Sequence, residues 1–286
     1  MKIALIGYGR MGKLLEARAI DRGHSIVAVV DPMSKETVSR TGTPVFKSIE
    51  EALKGGENMS LEVILSPRVL KISLADVVVD FTSPGTAPEN ISRMAEQKIP
   101  LLVGTTGWYD KLPEISKLVE SAGSSLIWSS NFSLGMNLFF RIAAYTARLM
   151  NGFPDYDVGG YEVHHNKKAD SPSGTARILV EKVLAGMTRK KTPVYDTLNR
   201  PPREEELHFA SLRLGSVPGV HSLSFDSSAD TITISHSARN REAFALGAVL
   251  AAEWLVRCPG PGKEAGKPRR GVFTMDDALA DILGRS

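Results

Sequence analysis

KIALIGYGRMG, residues 2–12, is the stretch of sequence that decides the fold. Residues 2–7 form a short continuous apolar run, which is typical of a strand buried on both faces of a parallel sheet. The glycines that follow have G-x-G-x-x-G spacing, and the next segment, KLLEARAIDRGH, has the apolar period of a helix. A second apolar run, SIVAVVD, then ends in Asp31. We therefore predict a β-α-β unit of the kind that binds dinucleotides.

Each glycine has its own predicted role in this unit. Gly7 permits the tight turn after the strand, Gly9 lets the backbone approach a pyrophosphate, and Gly12 allows close packing of the helix on the strand. Asp31 is expected to accept hydrogen bonds from the adenosine ribose. This favours NADH over NADPH, because a carboxylate would repel a 2′-phosphate. Lys35 and Arg40 lie close enough in sequence to soften that repulsion, so the preference for NADH is moderate and NADPH is expected to be accepted as well.

Composition excludes several classes of function. The chain has 286 residues, 42% of them hydrophobic and 23% charged, which predicts a globular protein of two domains. A net charge of +3 is too mild to indicate nucleic-acid binding, and no apolar stretch approaches a membrane span. Cys258 is the single cysteine, so a disulfide framework is excluded and a cytoplasmic location is expected.

Small or polar residues also follow three later apolar runs, in VVVDFTSP (77–84), IPLLVGTTG (99–107) and SLIWSSNFS (125–133). Turn chemistry alone would explain any one of them. Ligands of open α/β sheets collect at the carboxyl edge of the strands, so their recurrence favours a cofactor crevice. The expected cofactor contacts are Gly7, Tyr8, Gly9, Arg10, Met11, Gly12, Asp31, Phe81, Thr82, Gly104, Thr105, Thr106, Ser129, Ser130, Asn131 and Phe132.

The second half of the chain changes pattern after residue 130. A long apolar helix, SLGMNLFFRIAAYTARLM, is followed later by strand-like runs, of which GVHSLSFDS and DTITISHSA read as a hairpin. We predict a smaller α+β substrate domain at 131–239 with a mixed sheet, whose open face invites a second copy of the chain. The helix NREAFALGAVLAAEWLV, capped by Asn240, is expected to return to the first domain, which then comprises 1–130 with 240–286. FTMDDALADIL closes the chain as a short helix, and residues 55–74 carry no motif.

YEVHHNKKADSPSGTA, residues 161–176, concentrates imidazole, ammonium, hydroxyl and carboxylate groups ahead of a predicted helix. The free N–H groups of Ser173, Gly174 and Thr175 at the helix start would bind an anion, and Lys168 would add a positive charge. His164 and its neighbour His165 would point to opposite faces of an extended segment, so one of them would face the reaction. A helix-capping string beside a solvated loop explains the same letters equally well.

Taken together, these motifs resemble the dihydrodipicolinate reductase (4-hydroxy-tetrahydrodipicolinate reductase) family. The resemblance runs through GYGRMG, VVVDFTSP, VGTTGW, SSNFSLGMN, EVHHNKKADSPSGTA and RNREAFALGAVLAAEWL, and so covers nearly the whole chain. The sequence departs from the family pattern at Ser171, where the family usually has alanine. Residues 55–74 and 258–270 also look longer than is typical of the family.

The resemblance implies a Rossmann domain and reduction of a cyclic unsaturated imine dicarboxylate to tetrahydrodipicolinate by NADH or NADPH. It gives His164 and Lys168 the catalytic acid role. It assigns substrate binding to His165, Lys168, Ser173, Gly174 and Thr175. A homotetramer joined through the sheets of the substrate domains is implied, and no metal is expected.

Other functions remain compatible with parts of the sequence. Another two-domain Rossmann dehydrogenase, or a non-catalytic dinucleotide sensor, would keep the glycine loop without requiring PSGT beside HHNKK. His164 and His165 could also be metal ligands. Adjacent strand residues diverge, however, and no cysteine or third histidine lies at ligand spacing.

Overall fold

The computed structural model describes residues 1–55 and 71–284. Residues 56–70, the larger part of the segment without a motif, lie outside the described residues. The chain divides into two compact units, Met1–Ser133 with Arg241–Ser286, and Leu134–Asn240. The first unit is therefore built from both ends of the chain, and the second from one continuous stretch.

The strands are β1 Lys2–Ile6, β2 Ser25–Val30, β3 Val45–Phe46, β4 Val77–Asp80, β5 Leu101–Val103, β6 Ser125–Trp128, β7 Asp157–His164, β8 Thr192–Val194, β9 Glu206–Arg213, β10 Val220–Asp226, β11 Thr231–Ser237 and β12 Gly271–Thr274. The α-helices are α1 Arg10–Asp21, α2 Ile49–Lys54, α3 Ala87–Glu96, α4 Leu112–Ser121, α5 Leu134–Met150, α6 Gly174–Gly186, α7 Glu242–Leu255 and α8 Met275–Leu283. Ile72–Leu74 and Tyr109–Lys111 form single 3₁₀ turns.

The first unit contains a seven-stranded parallel sheet in the order β12-β6-β5-β4-β1-β2-β3. This arrangement confirms the predicted Rossmann architecture, including the β-α-β unit of β1, α1 and β2. All four residues of β4 are buried, as expected for a strand covered on both faces. Because the strands are parallel, the turns after β1, β4, β5 and β6 all lie at the carboxyl edge of the sheet.

Two details at the C-terminal end of the chain differ from the sequence prediction. Phe273 and Thr274 were predicted as the start of the closing helix, but Gly271–Thr274 forms β12 and pairs in parallel with β6, Gly271 opposite Ser125. A four-residue strand directly after a Pro/Gly-rich loop gives too short a pattern to recognise. The N-cap of α7 is Arg241 rather than Asn240, so the helix begins one residue later than its capping signal suggested.

The second unit contains a five-stranded sheet in the order β11-β10-β7-β9-β8. The predicted hairpin of β10 and β11 is confirmed, and the sheet is mixed because β7, β9 and β8 run parallel while β10 is antiparallel to β7 and β11. Apolar side chains of α5 and α6 pack with Val158, Phe209 and Leu223 in one core. Tyr161 and Leu212 are about half exposed.

No helix within residues 1–55 and 71–284 has the length and apolar character needed to cross a membrane.

Candidate active site

The turn after β1 has the geometry that its glycines predict. Gly7 has a φ of +90°, and a Cβ on it would lie 2.6 Å from the Phe81 carbonyl oxygen. A Cβ on Gly12 would lie 2.2 Å from the Gly7 carbonyl oxygen, so α1 packs directly on the turn. A Cβ on Gly9 would meet nothing within 4 Å, and no side chain caps the start of α1. The open backbone and the N–H groups of the first helical turn fit a pyrophosphate.

Asp31 holds this turn through backbone hydrogen bonds. Its Oδ2 accepts the Tyr8 N–H at 2.7 Å, and its Oδ1 accepts the N–H groups of Met33 and Ser34 at 2.8 and 3.0 Å. A carboxylate has about four lone-pair directions. Three are used by the backbone, which leaves room for one further donor such as a ribose hydroxyl.

Tyr8 contributes its backbone rather than its side chain to the turn. The phenol is buried, donates to Glu16 Oε2 and accepts the Arg40 N–H at 3.0 Å. Burial and the Glu16 carboxylate raise the pKa of Tyr8 to about 12. Glu16 also accepts the Thr41 hydroxyl at 2.7 Å, so the glycine loop is fastened to the segment that follows Asp31.

A cavity of about 500 Å³ opens beside the loop in the first unit. The sequence-predicted residues on its wall are Gly7, Gly9, Asp31, Phe81 and Thr82. The wall also includes residues that the sequence analysis missed, among them Met33, Lys47 and Arg93. Lys47 comes from the short β3–α2 turn and Arg93 from the exposed side of α3, where no local motif distinguishes them from surface cations.

Asp80, which the sequence analysis also missed, organises the turns after β4 and β5. Its fully buried carboxylate accepts the Thr82 N–H at 2.9 Å, the Thr105 hydroxyl at 3.2 Å and the Asn90 amide at 2.7 Å. Burial raises the pKa of Asp80, and these hydrogen bonds oppose the shift. The Thr105 hydroxyl in turn accepts the Thr82 N–H at 2.8 Å.

The remaining predicted cofactor residues fall into three groups. Thr105 and Phe132 are buried, and the rings of Phe132 and Phe81 lie 6.3 Å apart between centroids. Ser129 and Asn131 bond to each other across the turn after β6. The others vary in exposure: Arg10, Thr106 and Ser130 are exposed, and Met11 and Gly104 are half-buried.

In the second unit, Glu162 of β7 lies at the centre of a polar cluster that the sequence analysis did not identify. Its side chain has no exposed surface. The contacts to Oε1 are the Ser173 N–H at 2.9 Å, the Ser211 hydroxyl at 2.9 Å and the Arg213 guanidinium at 3.1 Å. The contacts to Oε2 are the Ser173 hydroxyl, His164 Nδ1 at 3.1 Å and His221 Nε2 at 3.5 Å. Burial would raise the pKa of Glu162, but donation from His164, His221 and Ser173 outweighs it and holds that pKa well below its usual range.

The two neighbouring histidines have different environments. His164, the last residue of β7, is buried and its Nδ1 faces Glu162. His165 follows the strand and is half-buried. The alternation of the strand puts Glu162 and His164 on one face. The position of Glu162 two residues before His164 could therefore have predicted from the sequence that the two side chains are neighbours.

The helix start beyond the histidines is only partly free. The expectation that the Ser173 N–H is available to an anion is wrong, because it donates to Glu162, while the Ser173 hydroxyl caps α6 by accepting the Ala176 N–H. Gly174 is exposed and Thr175 half-buried. The Asp170 carboxylate lies 2.7 Å from the Lys168 ammonium. Lys168 holds the pKa of Asp170 below its usual range against the opposing effect of burial, and the Gly174 N–H also lowers it.

The fold supplies a third histidine that sequence spacing could not reveal. His221 of β10 joins Glu162 and His164, and their ligand atoms all lie within 4.8 Å of one another. The absence of a third histidine at ligand spacing in the sequence therefore did not exclude one in space. A cation bound here would have to share Glu162 with the Arg213 guanidinium 3.1 Å away. A guanidinium that already pairs with this carboxylate opposes the binding of a second cation to it.

Comparisons with known proteins agree with this arrangement. The family models described as Dihydrodipicolinate reductase, N-terminus and C-terminus match residues 1–132 and 135–279. A 4-hydroxy-tetrahydrodipicolinate reductase of Christiangramia forsetii is 35% identical over 283 residues, which are 99% of each chain. That of Archaeoglobus fulgidus is 33% identical over 98% of this chain and 100% of the relative.

A solved structure supports the fold. The dipicolinate-bound dihydrodipicolinate reductase of Paenisporosarcina sp. TG-14 has a TM-score of 0.69 at 20% identity, over 96% of this chain and 97% of that one. The amine dehydrogenase of Mycobacterium smegmatis has a lower TM-score of 0.56 at 13% identity, over 96% of this chain and 95% of that one. Because the family models span both units and full-length relatives exceed 30% identity, the chain belongs to the dihydrodipicolinate reductase family.

Proposed function

We propose that this protein reduces 4-hydroxy-tetrahydrodipicolinate to tetrahydrodipicolinate with NAD(P)H, in lysine and diaminopimelate biosynthesis. The observation that carries this proposal is the match of the family models to residues 1–132 and 135–279. The glycine turn at the start of α1 and the His164 cluster supply chemistry suited to a nicotinamide cofactor and to a proton transfer. Bound NAD(P)H would supply the hydride.

His164 acts in this proposal as the proton donor to the reduced ring. Imidazole is a suitable acid near neutral pH. Its Nδ1 is buried against Glu162, which leaves Nε2 for the substrate. A Cβ at Gly219 would lie 3.0 Å from Nε2, so the glycine keeps this side of the ring free of another side chain.

A substrate carboxylate is held by Lys168, His165, and the N–H groups of Gly174 and Thr175, with the substrate displacing Asp170 from the Gly174 N–H. The side chain of Lys168 is 23% exposed, so its ammonium can reach an incoming anion. Ser173 takes a supporting part because its N–H and hydroxyl are bonded to Glu162. Lys168 also assists His164 by balancing negative charge that develops on the ring.

For the cofactor we propose use of both NADH and NADPH, with NADH preferred. The supporting argument is the Asp31 carboxylate on the cavity wall, which attracts a ribose hydroxyl and repels a 2′-phosphate. Lys47 on the same wall reduces this repulsion, whereas the charge of Arg93 is already paired with Glu50 and Glu89.

The proposal is tested by following nicotinamide absorbance with 4-hydroxy-tetrahydrodipicolinate generated in the same cuvette. The wild type should oxidise both cofactors, and His164→Gln should lower kcat by about 10²-fold. His208→Gln, a histidine of β9 in the same unit, should retain the wild-type rate. Binding of NADH without turnover of this substrate would leave the chain as another dehydrogenase or a dinucleotide sensor. Loss of activity after exhaustive chelation would overturn the metal-free mechanism.

A homotetramer and a cytoplasmic location remain predictions. The half-exposed Tyr161 and Leu212 side chains support burial of the second unit's sheet against another copy. Sedimentation equilibrium should give four chains per particle, and Tyr161→Arg should lower this number if the sheet forms the interface.

A further inference from the structure

Glu162 is a fully buried carboxylate with many polar contacts, although the sequence analysis did not place it in the site. A carboxylate removed from water is strongly disfavoured unless charge and hydrogen bonds replace the lost solvation. Glu162 receives both, from one guanidinium and from groups on three other segments. These contacts favour the ionised form of the carboxylate.

Two histidines share Oε2 of this carboxylate, but they are not equivalent. Burial lowers the pKa of His221 although Glu162 opposes the shift, which keeps its ring neutral near pH 7. A neutral His221 can donate to Glu162 through Nε2. The other nitrogen of His221, Nδ1, is buried without a hydrogen-bond partner among the described residues, whereas the other nitrogen of His164 is Nε2, beside Gly219. Of the two, only His164 is placed to carry a proton to a ligand.

We propose that Glu162 is the positioning residue of His164, holding the Nδ1 side of the ring so that Nε2 carries the transferred proton. This inference rests on the proposed function, in which His164 is the acid. Nδ1 lies 3.1 Å from Oε2 and has no other partner among the described residues. The contact is that of an ion pair rather than of a linear hydrogen bond, and it becomes strongest when the ring is charged.

The proton balance of the step is simple. After the 4-hydroxyl group has left as water to give the unsaturated ring, the His164 imidazolium breaks its Nε2–H bond, the proton goes to that ring, and the hydride comes from NAD(P)H. The ring is left neutral with its remaining proton on Nδ1, facing Glu162. Water then returns a proton to Nε2. A buried carboxylate beside an imidazole favours this tautomer and stabilises the cation.

Glu162 also links the acid to the substrate anion site. The same carboxylate accepts the Ser173 N–H one residue before Gly174. Strand β7 and the start of α6 are thus fixed to each other by one side chain. If Glu162 only joined β7 to the start of α6, its replacement would leave the His164 tautomer unchanged.

The test is ¹⁵N NMR of the full-length protein labelled at histidine, with the His164 signals assigned by their loss in His164→Gln. At alkaline pH, wild-type His164 should be the Nδ1–H tautomer. Glu162→Gln should shift the population toward Nε2–H and lower kcat by about 10²-fold, with the KM for NADH unchanged. Glu162→Gln removes the negative charge 3.1 Å from Nδ1, so the alkaline limb of the kcat profile should move to lower pH, with His221 beside the ring and Arg213 on the same carboxylate in both forms.

Glu206→Gln is the matched control, since Glu206 is another buried carboxylate of this unit and pairs with Arg200 instead of a histidine. It should change neither the tautomer nor kcat. If the wild type shows the Nε2–H tautomer, the inference is overturned. This measurement does not depend on any variant folding. If Glu162→Gln is fully active and His164→Gln is inactive, the role of Glu162 is overturned, but His164 remains the proposed acid. Full activity of His164→Gln overturns the proposed acid and this inference with it.

Discussion

The Tyr8 N–H donates to Asp31 Oδ2 at 2.7 Å, so the acid that is expected to read the ribose also holds the glycine turn. Asp31 therefore affects both the choice of cofactor and the geometry of the glycine turn. A substitution at Asp31 must be interpreted with both effects in mind.

Asp31→Ala should lower the ratio of kcat/KM for NADH to that for NADPH by about tenfold, because one charged hydrogen bond to the ribose is lost. Asp31→Asn keeps an acceptor for a backbone N–H and separates the loop effect from the charge effect. Steady-state kinetics with each cofactor gives the ratio. If neither variant changes it, Asp31 has no part in ribose recognition.

Gly12 and Gly9 should respond differently to alanine. A Cβ on Gly12 meets the Gly7 carbonyl, so Gly12→Ala should lower the free energy of unfolding by about 1–3 kcal/mol. Gly9→Ala should leave stability unchanged and weaken NADH binding, because its Cβ meets no protein atom within 4 Å beside the cavity. Urea unfolding and NADH titration measure the two effects. Equal stability losses in both variants would contradict this division of roles.

Asp170→Asn should lower the substrate KM by about two- to fivefold, because an ion pair whose carboxylate is exposed is worth only a fraction of a kcal/mol to about 1 kcal/mol. Without its charge, Asp170 no longer competes with the substrate carboxylate for the ammonium. Asp157→Asn, which breaks the pair with Lys190 in the same unit, is the control and should leave KM unchanged. A higher KM in Asp170→Asn would instead mean that Asp170 holds Lys168 in place.

Thr175→Val should raise the substrate KM about tenfold, because a hydrogen bond to a charged ligand is lost at the start of α6. NADH binding should be unaffected. Thr146→Val in α5, whose hydroxyl donates to the Ile142 carbonyl, provides the comparison. Weaker NADH binding in Thr175→Val would contradict the assignment of this threonine to the substrate.

The stability that Glu162 contributes should depend on pH. Its pKa is lower in the folded chain than the usual 4.5, so the unfolded chain takes up a proton first as the pH falls. The advantage of the wild type over Glu162→Gln should therefore be complete at neutral pH and decline below about 4.5. Urea unfolding across this range measures the difference. A difference independent of pH would mean that folding does not shift the pKa of Glu162.

Local chemistry explains what could be predicted from the sequence. The roles of Gly7 and Gly12 depend on a turn and on a helix a few residues away, so their spacing was enough. The Rossmann sheet and the hairpin of β10 and β11 were likewise predictable, because apolar runs and strict alternation are properties of neighbouring residues.

What escaped prediction depends on strand pairing. Glu162 and His221 meet because β7 pairs with β10, and Arg213 joins them because β9 pairs with β7 on the other side. No single-sequence pattern specifies those partners, although Glu162 could have been noticed two residues before His164. Lys47 and Arg93 are surface cations in sequence terms, and only the fold places them at the cavity.

The pairing of β12 with β6 has a consequence for synthesis of the protein. The N-terminal part leaves the ribosome first, yet its sheet keeps one open edge, at Ser125–Trp128, until Gly271–Thr274 has been made. The Glu253 carboxylate that pairs with Arg22 and His24 also arrives late. The continuous stretch Leu134–Asn240 can fold during translation, whereas the cofactor domain is completed only when nearly the whole chain has emerged. A nascent chain stalled before residue 271 would expose a strand edge and would be the form most in need of a chaperone.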